Sequence, residues 1–186
     1  MRVEQHPTDE EIMTAVKAGR NGELALLYER HKSRFYNYFM KLTLDRELSQ
    51  DLLQNLFVRI LKYKHAFRVS QLFLPWCYRM ARNMAYNELK KKSSSSKTVN
   101  VEQMAEELVD LSVDQEAQER EKQLMRALAK LPEDKRELIV WSKIEGLKYE
   151  TIAQIRETTV GAIKVQVHRT MALLKNIYFE AYESKM

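Results

Sequence analysis

The feature that most limits this fold is a near-absence of chain breakers in a sequence whose apolar residues recur at helical spacing. Four Gly and three Pro are spread over 186 residues. No stretch alternates apolar and polar residues as a strand would, so the chain is expected to be nearly all α-helix. Thr8-Asp-Glu-Glu11 is a capping-box pattern and opens a first helix to about Ala18. Gly19-Arg-Asn-Gly22 breaks it. A helix from about 23 to 43 carries Leu24, Leu27, Tyr28, His31, Phe35, Tyr38, Phe39 and Leu42 at helical spacing. The next, about 47 to 64, has an inward stripe of Leu52, Leu53, Leu56, Phe57, Ile60 and Leu61. After an irregular stretch from His65 to Leu74, Pro75 suits the first turn of a helix ending near Lys92. Further helices are expected from Gln115 to Leu131, from Pro132 to Gly146, from 149 to 156, and from Thr159 to about Tyr182.

Charge divides the chain. Residues 1–92 hold 17 Lys/Arg against 10 Asp/Glu, 93–123 hold 3 against 8, and 124–186 hold 11 against 8. Two basic blocks around an acidic strip suggest two modules that meet a polyanion, joined by a segment that does not. A basic protein with an acidic linker has the same signature. The run Lys90-Lys-Lys-Ser-Ser-Ser-Ser-Lys97 lacks periodicity and reads as the start of a flexible acidic linker over 93–114. Met104, Leu108, Val109 and Leu111 leave open a transient helix or a docked segment there.

A single Cys, Cys77, excludes an intramolecular disulfide framework and a Cys-based zinc cluster, and is expected to be a buried small hydrophobe. His6, His31, His65 and His168 are scattered, so no metal site is expected. No Gly-rich phosphate loop or nucleophile–base arrangement stands out, which points to a binding protein without a cofactor rather than an enzyme. No apolar run reaches membrane-spanning length, and the N-terminus lacks the apolar core of a signal peptide. A cytoplasmic protein without membrane insertion is expected.

Two segments carry candidate chemistry. Leu147 to Lys175 reads as a helix-turn-helix, with Thr159 as N-cap of its second helix. Val160, Ile163, Val167, Met171 and Leu174 should face inward. Ala162, Val165, Gln166 and Arg169, flanked by Lys164 and His168, then face outward. Arg and Lys suit guanine, and methyl groups suit thymine, in a major groove. A helical hairpin with a solvated face has the same pattern. The second segment, Pro75 to Asn87, interleaves Trp76, Tyr78 and Tyr86 with Arg79, Arg82, Asn83 and Asn87. Cations beside rings suit single-stranded nucleic acid, and Phe67-Arg-Val-Ser-Gln-Leu-Phe73 is a candidate pocket wall. Aromatic residues at helical spacing equally suit a core.

Taken together, these blocks resemble the extracytoplasmic-function sigma factors of the sigma-70 class. Asp51-Leu-Leu-Gln-Asn-Leu-Phe57 resembles the family's Asp-x-x-Gln-Glu-x-Phe block. Trp76 stands 25 residues after Asp51, where the family has a helix-opening Trp, and Tyr78-Arg-Met-Ala-Arg-Asn83 follows as Tyr-Arg-Ile-Ala-x-Asn does. Leu131-Pro-Glu-Asp-Lys-Arg136, Glu145-Gly-Leu-Lys-Tyr-Glu150, Ile152-Ala153, Val160-Gly161 and His168-Arg169 complete the likeness, which spans about residues 9 to 176.

The resemblance implies an all-α chain of two helical domains, region 2 at 8–92 and a region 4 helix-turn-helix at 115–180, joined by the flexible acidic linker. It implies a subunit that binds core RNA polymerase through its β and β′ subunits, recognises promoter DNA, and is held by an anti-sigma factor. Asp51, Gln54, Asn55 and Phe57 occupy the polymerase-binding motif, with Phe57 supporting the core. Phe67, Arg68, Ser70, Gln71, Trp76, Arg79, Arg82 and Asn83 fall in the minus-ten region, where Phe67 and Asn83 would hold a flipped base. Thr159, Lys164, Val165, Gln166, His168 and Arg169 fall on the minus-thirty-five reader. The linker would thread towards the active-site and RNA-exit channel.

Several residues depart from the pattern. Phe67-Arg-Val-Ser-Gln replaces a Phe-Arg-Gly-Asp-like loop, which leaves the identity of the captured base open. Arg156-Glu-Thr158 replaces a Gly-containing turn, so another residue must meet a positive φ or the turn must differ. Val165-Gln166 replaces a Ser-Arg pair and moves base preference from guanine towards adenine or thymine. Asn55 removes one charge from the polymerase-facing surface. Two rivals remain at this level. One is a stand-alone helix-turn-helix regulator with residues 1–92 as sensor or dimerisation domain. The other is a protein-interaction module.

Overall fold

Helix α1 (Asp9–Lys17) begins where the capping box places it. The Glu11 N–H donates to Thr8 Oγ1 at 3.2 Å, and the Thr8 N–H donates to Glu11 Oε2 at 2.8 Å. α2 (Leu24–Thr43) follows after a short 3₁₀ turn. It ends at Leu44, which takes the left-handed conformation with φ 56°. Such strain needs compensation, and here the Leu44 side chain is buried against the second module. Asp45 then caps α3 (Arg46–Lys62), accepting from the Leu48 N–H at 2.9 Å. α4 (Phe73–Ser93) opens two residues before Pro75, which still lies in its first turn. The computed structural model describes residues 6–93 and 115–183. The linker expected at 93–114 lies outside them, save for its first residue.

The second module contains α5 (Gln115–Ala129), α6 (Glu133–Ile139), α7 (Tyr149–Arg156) and α8 (Val160–Glu183). The single helix expected from Pro132 to Gly146 is not uniform. At Val140–Ile144 it widens to a π-helical turn, in which the Glu145 N–H donates to the Val140 carbonyl at 2.8 Å. Between α7 and α8, Glu157 takes a positive φ, 53°, so of the two alternatives for the Gly-less turn another residue meets the left-handed position. Thr159 caps α8, accepting from the Ala162 N–H at 3.1 Å.

The inward face of α8 differs from expectation at one position. Ile163, Val167 and Leu174 are buried, but Met171 is exposed and Thr170 is buried instead. At 3.6 residues per turn, Thr170 lies closer to the axis of Ile163 and Leu174 than Met171 does. Position on the wheel overrode residue type. Cys77 is buried, as expected. Among the described residues there is no strand, and no helix long and apolar enough to cross a membrane.

The two modules share one core. Phe35, Tyr38, Phe73 and Tyr78 of the first continue into Leu138, Val140, Trp141 and Ile152 of the second. A smaller cluster joins Met40 and Leu44 to Leu128, Leu131, Ile139 and Leu174. α7 lies against α4, and α6 against α2. Arg79 and Arg82 of α4 are thereby brought beside carboxylates of the second module.

Candidate nucleic-acid interface

The clearest surface is the outer face of α8. Burial of Ile163, Val167, Thr170 and Leu174 turns Lys164, Val165, Gln166, His168 and Arg169 outward, and all five are exposed. Thr159 stands at the head of the helix, its hydroxyl already engaged as a cap. Arg156, from the end of α7, donates to Gln166 Oε1 at 3.4 Å. The same Arg156 is anchored from behind by Glu137 Oε2 at 3.1 Å and by the Asp134 carbonyl. Gln166 is thus oriented by an arginine that is itself fixed, a better starting point for readout than a free side chain.

A second surface combines α4 with the loop before it. The loop is pinned at both ends to α1. Lys17 Nζ donates to the Phe67 carbonyl at 2.7 Å, and the Phe73 N–H donates to Glu10 Oε1 at 2.8 Å. Between these pins Arg68, Val69, Ser70 and Leu72 are exposed, and Gln71 is half-buried. Phe67 requires a correction. It was expected to face a flipped base, but it is fully buried, edge-on to Trp76 with ring centroids 5.3 Å apart. The apolar ring packs downward because Phe73 and Trp76 offer it a dry wall, so it can support a pocket only from beneath. Trp76 is half-buried and Asn83 is exposed. Tyr78 belongs to the core, as the alternative reading of this helix had it.

A third surface lies on α3. Asp51, Gln54 and Asn55 are exposed, whereas Phe57 is buried against Tyr28, with ring centroids 4.9 Å apart. Between α3 and α4 a cleft of about 540 Å³ opens beside Asp51, Asn55, Arg59 and Asn87.

Sequence reasoning missed the junction of the modules. Glu137 has no exposure at all. Its Oε1 accepts from the Tyr38 hydroxyl at 2.8 Å, and its Oε2 accepts from Arg82 Nε at 3.0 Å as well as from Arg156. Burial pushes the Glu137 carboxyl above the usual carboxylate range, against the opposing pull of Arg82 and Arg156. Burial also lifts the Tyr38 hydroxyl well above its ordinary value, and Glu137 lifts it further. Trp141 stacks on Tyr38 at 5.8 Å and meets Tyr78 edge-on at 5.9 Å. Arg79 pairs with Glu157 at 3.2 Å, and Arg34 with Glu145 at 3.6 Å. One signal was available: Glu137 and Trp141 stand four residues apart in the apolar run Leu138-Ile-Val-Trp141, hence on one helix face. Among the described residues, no three His, Cys, Asp or Glu side chains converge as a metal ion would require.

Comparison with known proteins falls on these same surfaces. The family model described as Sigma-70 region 2 matches residues 27–95, and that described as Sigma-70, region 4 matches 121–174. RNA polymerase sigma factor CarQ of Myxococcus xanthus is 27% identical over 154 residues, covering 83% of this chain and 88% of that protein. The ECF RNA polymerase sigma-E factor of Haemophilus influenzae is 24% identical over 181 residues, covering 91% and 94%. Two solved structures share the fold. CnrH, in complex with the cytosolic domain of CnrY, superposes with a TM-score of 0.69 at 18% identity, covering 91% of this chain and 96% of that one. The sigma factor RpoE of Bartonella quintana, in complex with the anti-sigma factor NepR, gives 0.60 at 19% identity, covering 89% and 91%.

Proposed function

The chain belongs to the extracytoplasmic-function branch of the sigma-70 family, and from that premise we propose how its surfaces divide the work of starting transcription. As a sigma factor it binds core RNA polymerase and directs promoter-specific initiation. Its role is regulatory, with the chemistry left to the polymerase, and the cytoplasm is where that polymerase works.

On this reading residues 8–92 form the module that captures the minus-ten element. Arg68, Ser70 and Gln71 edge the base pocket, with Phe67 supporting it from beneath. Trp76 and Asn83 contact bases, and Arg79 and Arg82 track phosphates. Taking a base out of the stack costs a few kcal/mol, which these contacts would offset. Asp51, Gln54 and Asn55 contact the clamp helices of β′, and residues 115–180 pack on the β flap. That second module reads the minus-thirty-five element as duplex through Lys164, Val165, Gln166, His168 and Arg169, with Thr159 near the phosphates. An anti-sigma factor is the fitting inhibitory partner, as the Bartonella quintana sigma factor is bound to one.

The observation that carries the reading is the outward face of α8 in the same chain as the exposed α3 motif. A stand-alone helix-turn-helix regulator accounts for the first and leaves the second without a purpose. In vitro transcription with core polymerase on a library of randomised promoters tests the choice. Core-dependent transcripts sharing two sequence elements are expected. Tight duplex binding by the free protein with no transcripts would overturn the reading.

A further inference from the structure

We infer that Arg156 is a specificity-determining positioning residue, which turns Gln166 into a donor and so directs it to guanine rather than adenine in the minus-thirty-five element. This rests on the sigma-factor reading above. It deepens that reading by naming the base that one position of α8 reads and the residue outside α8 that decides it.

A glutamine free to turn reads adenine with both ends of its amide. Its oxygen accepts from N6 and its nitrogen donates to N7. Gln166 is exposed on the outer face of α8, but its amide is not free to turn. Arg156 donates to Gln166 Oε1 at 3.4 Å. A guanidinium carries donors and no acceptor, so the amide atom that faces it has to be the oxygen. Turning the amide over would set Nε2 against an N–H group, donor against donor. At this length the contact adds little stability. Its effect is to choose which end of the amide looks outward, and that end is Nε2.

The choice holds only if the arginine itself stays in place. Arg156 is fixed from α6 and the turn that follows it, all within the second module. Glu137 Oε2 accepts from it at 3.1 Å, and the Asp134 carbonyl accepts from the same nitrogen. Its guanidinium lies over the Trp141 ring, 5.6 Å from the centroid. Only 13% of the side chain is exposed. A side chain locked by packing and by a buried carboxylate can hold its neighbour in one orientation.

With Oε1 turned in, Gln166 offers the groove the two N–H groups of Nε2. Guanine presents two acceptors there, N7 and O6. Adenine presents N7 beside an N6 donor, which would meet a second donor. The surrounding charge points the same way. Arg156, Gln166 and Arg169 line one cleft of about 550 Å³ with Lys135, and Asp134 lies at its edge. Arg169 follows Gln166 by one helical turn and so shares its side of α8. Replacement of the family's Ser-Arg pair by Val165-Gln166 was expected to move preference away from guanine. Arg156 reverses that shift at Gln166, where the two side chains together present donors alone.

The full-length chain with core polymerase, transcribing from promoters randomised in the minus-thirty-five element, tests the assignment. The base pair read by Gln166 is the one at which Gln166→Ala flattens the preference. Wild type should favour G·C there by about tenfold, within the discrimination expected of a paired base contact. Arg156→Met frees the amide and should move the preference to A·T, whereas Arg156→Lys keeps a donor cation and should retain G·C. In a Gln166→Ala background, Arg156→Met should shift no preference, because Arg156 acts through Gln166. A purely structural role would instead lower output from all promoters alike. That result, or an equal shift in the Gln166→Ala background, overturns the inference. If Arg156→Met does not fold, wild type against Gln166→Ala still decides it. Selection of A·T by wild type at that position, or no position flattened by Gln166→Ala, overturns it while leaving the sigma-factor reading intact. Absence of core-dependent transcripts from every promoter would overturn both.

Discussion

Replacing Arg136 by Met should destabilise the chain more than any change on the proposed DNA-reading faces. Arg136 is buried, and its guanidinium donates four hydrogen bonds to backbone carbonyls. Three acceptors, Leu128 at 3.0 Å, Ala129 at 2.9 Å and Leu131 at 3.1 Å, are at the end of α5 or just beyond it. The fourth, Leu42 at 2.8 Å, lies at the end of α2 in the other module. The side chain thus satisfies carbonyls that a helix end leaves without partners, and its positive charge suits the negative ends of two helices. A hydrogen bond to a charged group contributes about 1.5–3 kcal/mol, and a buried acceptor left alone costs about 1–3 kcal/mol. Some of these carbonyls would reach water once the guanidinium is gone, so the expected loss is about 3–5 kcal/mol rather than the full sum. In a chain of this length that lowers Tm by about 10 °C. Met keeps the apolar stem, so the change isolates the guanidinium. Arg136→Lys should recover less than half of the loss, because an ammonium lacks the planar fork. Thermal and urea unfolding followed by circular dichroism measures both. A loss under about 1 kcal/mol for Arg136→Met would mean that the carbonyls find other partners, and the argument would be refuted.

Asp51→Ala with Gln54→Ala should weaken binding to core polymerase in a pull-down while changing stability by no more than about 1 kcal/mol, as surface changes do. Asn83→Ala should impair open-complex formation but spare the closed complex, read as lost permanganate reactivity at the minus-ten region; unchanged reactivity removes its role in base capture. Arg169→Ala should cost on the order of 1–3 kcal/mol and relax preference at one promoter position, whereas Lys164→Ala should weaken all sequences alike and flatten the salt dependence. Promoter selection with each variant separates the two. Asp9→Asn tests linkage to pH. Burial alone would raise the Asp9 carboxyl, but hydrogen bonds from His31 and Arg30 outweigh it and hold it below the usual carboxylate range. A depressed carboxylate contributes stability above its unfolded pKa and loses it as pH falls through the folded one. The variant should therefore be less stable than the wild type at neutral pH, and the gap should close below about pH 3.8 in urea titrations.

Local structure was legible because its causes are local. The capping box at Thr8, the cap at Thr159, the helical period through α2 and α3, and the need for a positive φ in the turn at Glu157 each depend on residues within one or two helical turns. The likeness to sigma factors likewise rested on short blocks such as Asp51–Phe57 and Trp76–Asn83, whose order survives without any knowledge of packing. What the sequence alone did not determine is which surfaces meet. Phe67 is a base-facing ring or a buried prop depending on whether Phe73 and Trp76 enclose it. Thr170 is buried and Met171 exposed because of where α8 settles on its neighbours. Arg79 and Arg82 are free cations on an isolated α4, but ion-paired once Glu157 at the end of α7 and Glu137 of α6 meet them. Glu137 and Trp141 look like one acidic and one apolar residue in an ordinary helix until Tyr38, 99 residues before Glu137, closes over them. Such contacts depend on chain closure over long separations and on desolvation by partners that no local window contains, so only the tertiary structure could decide them.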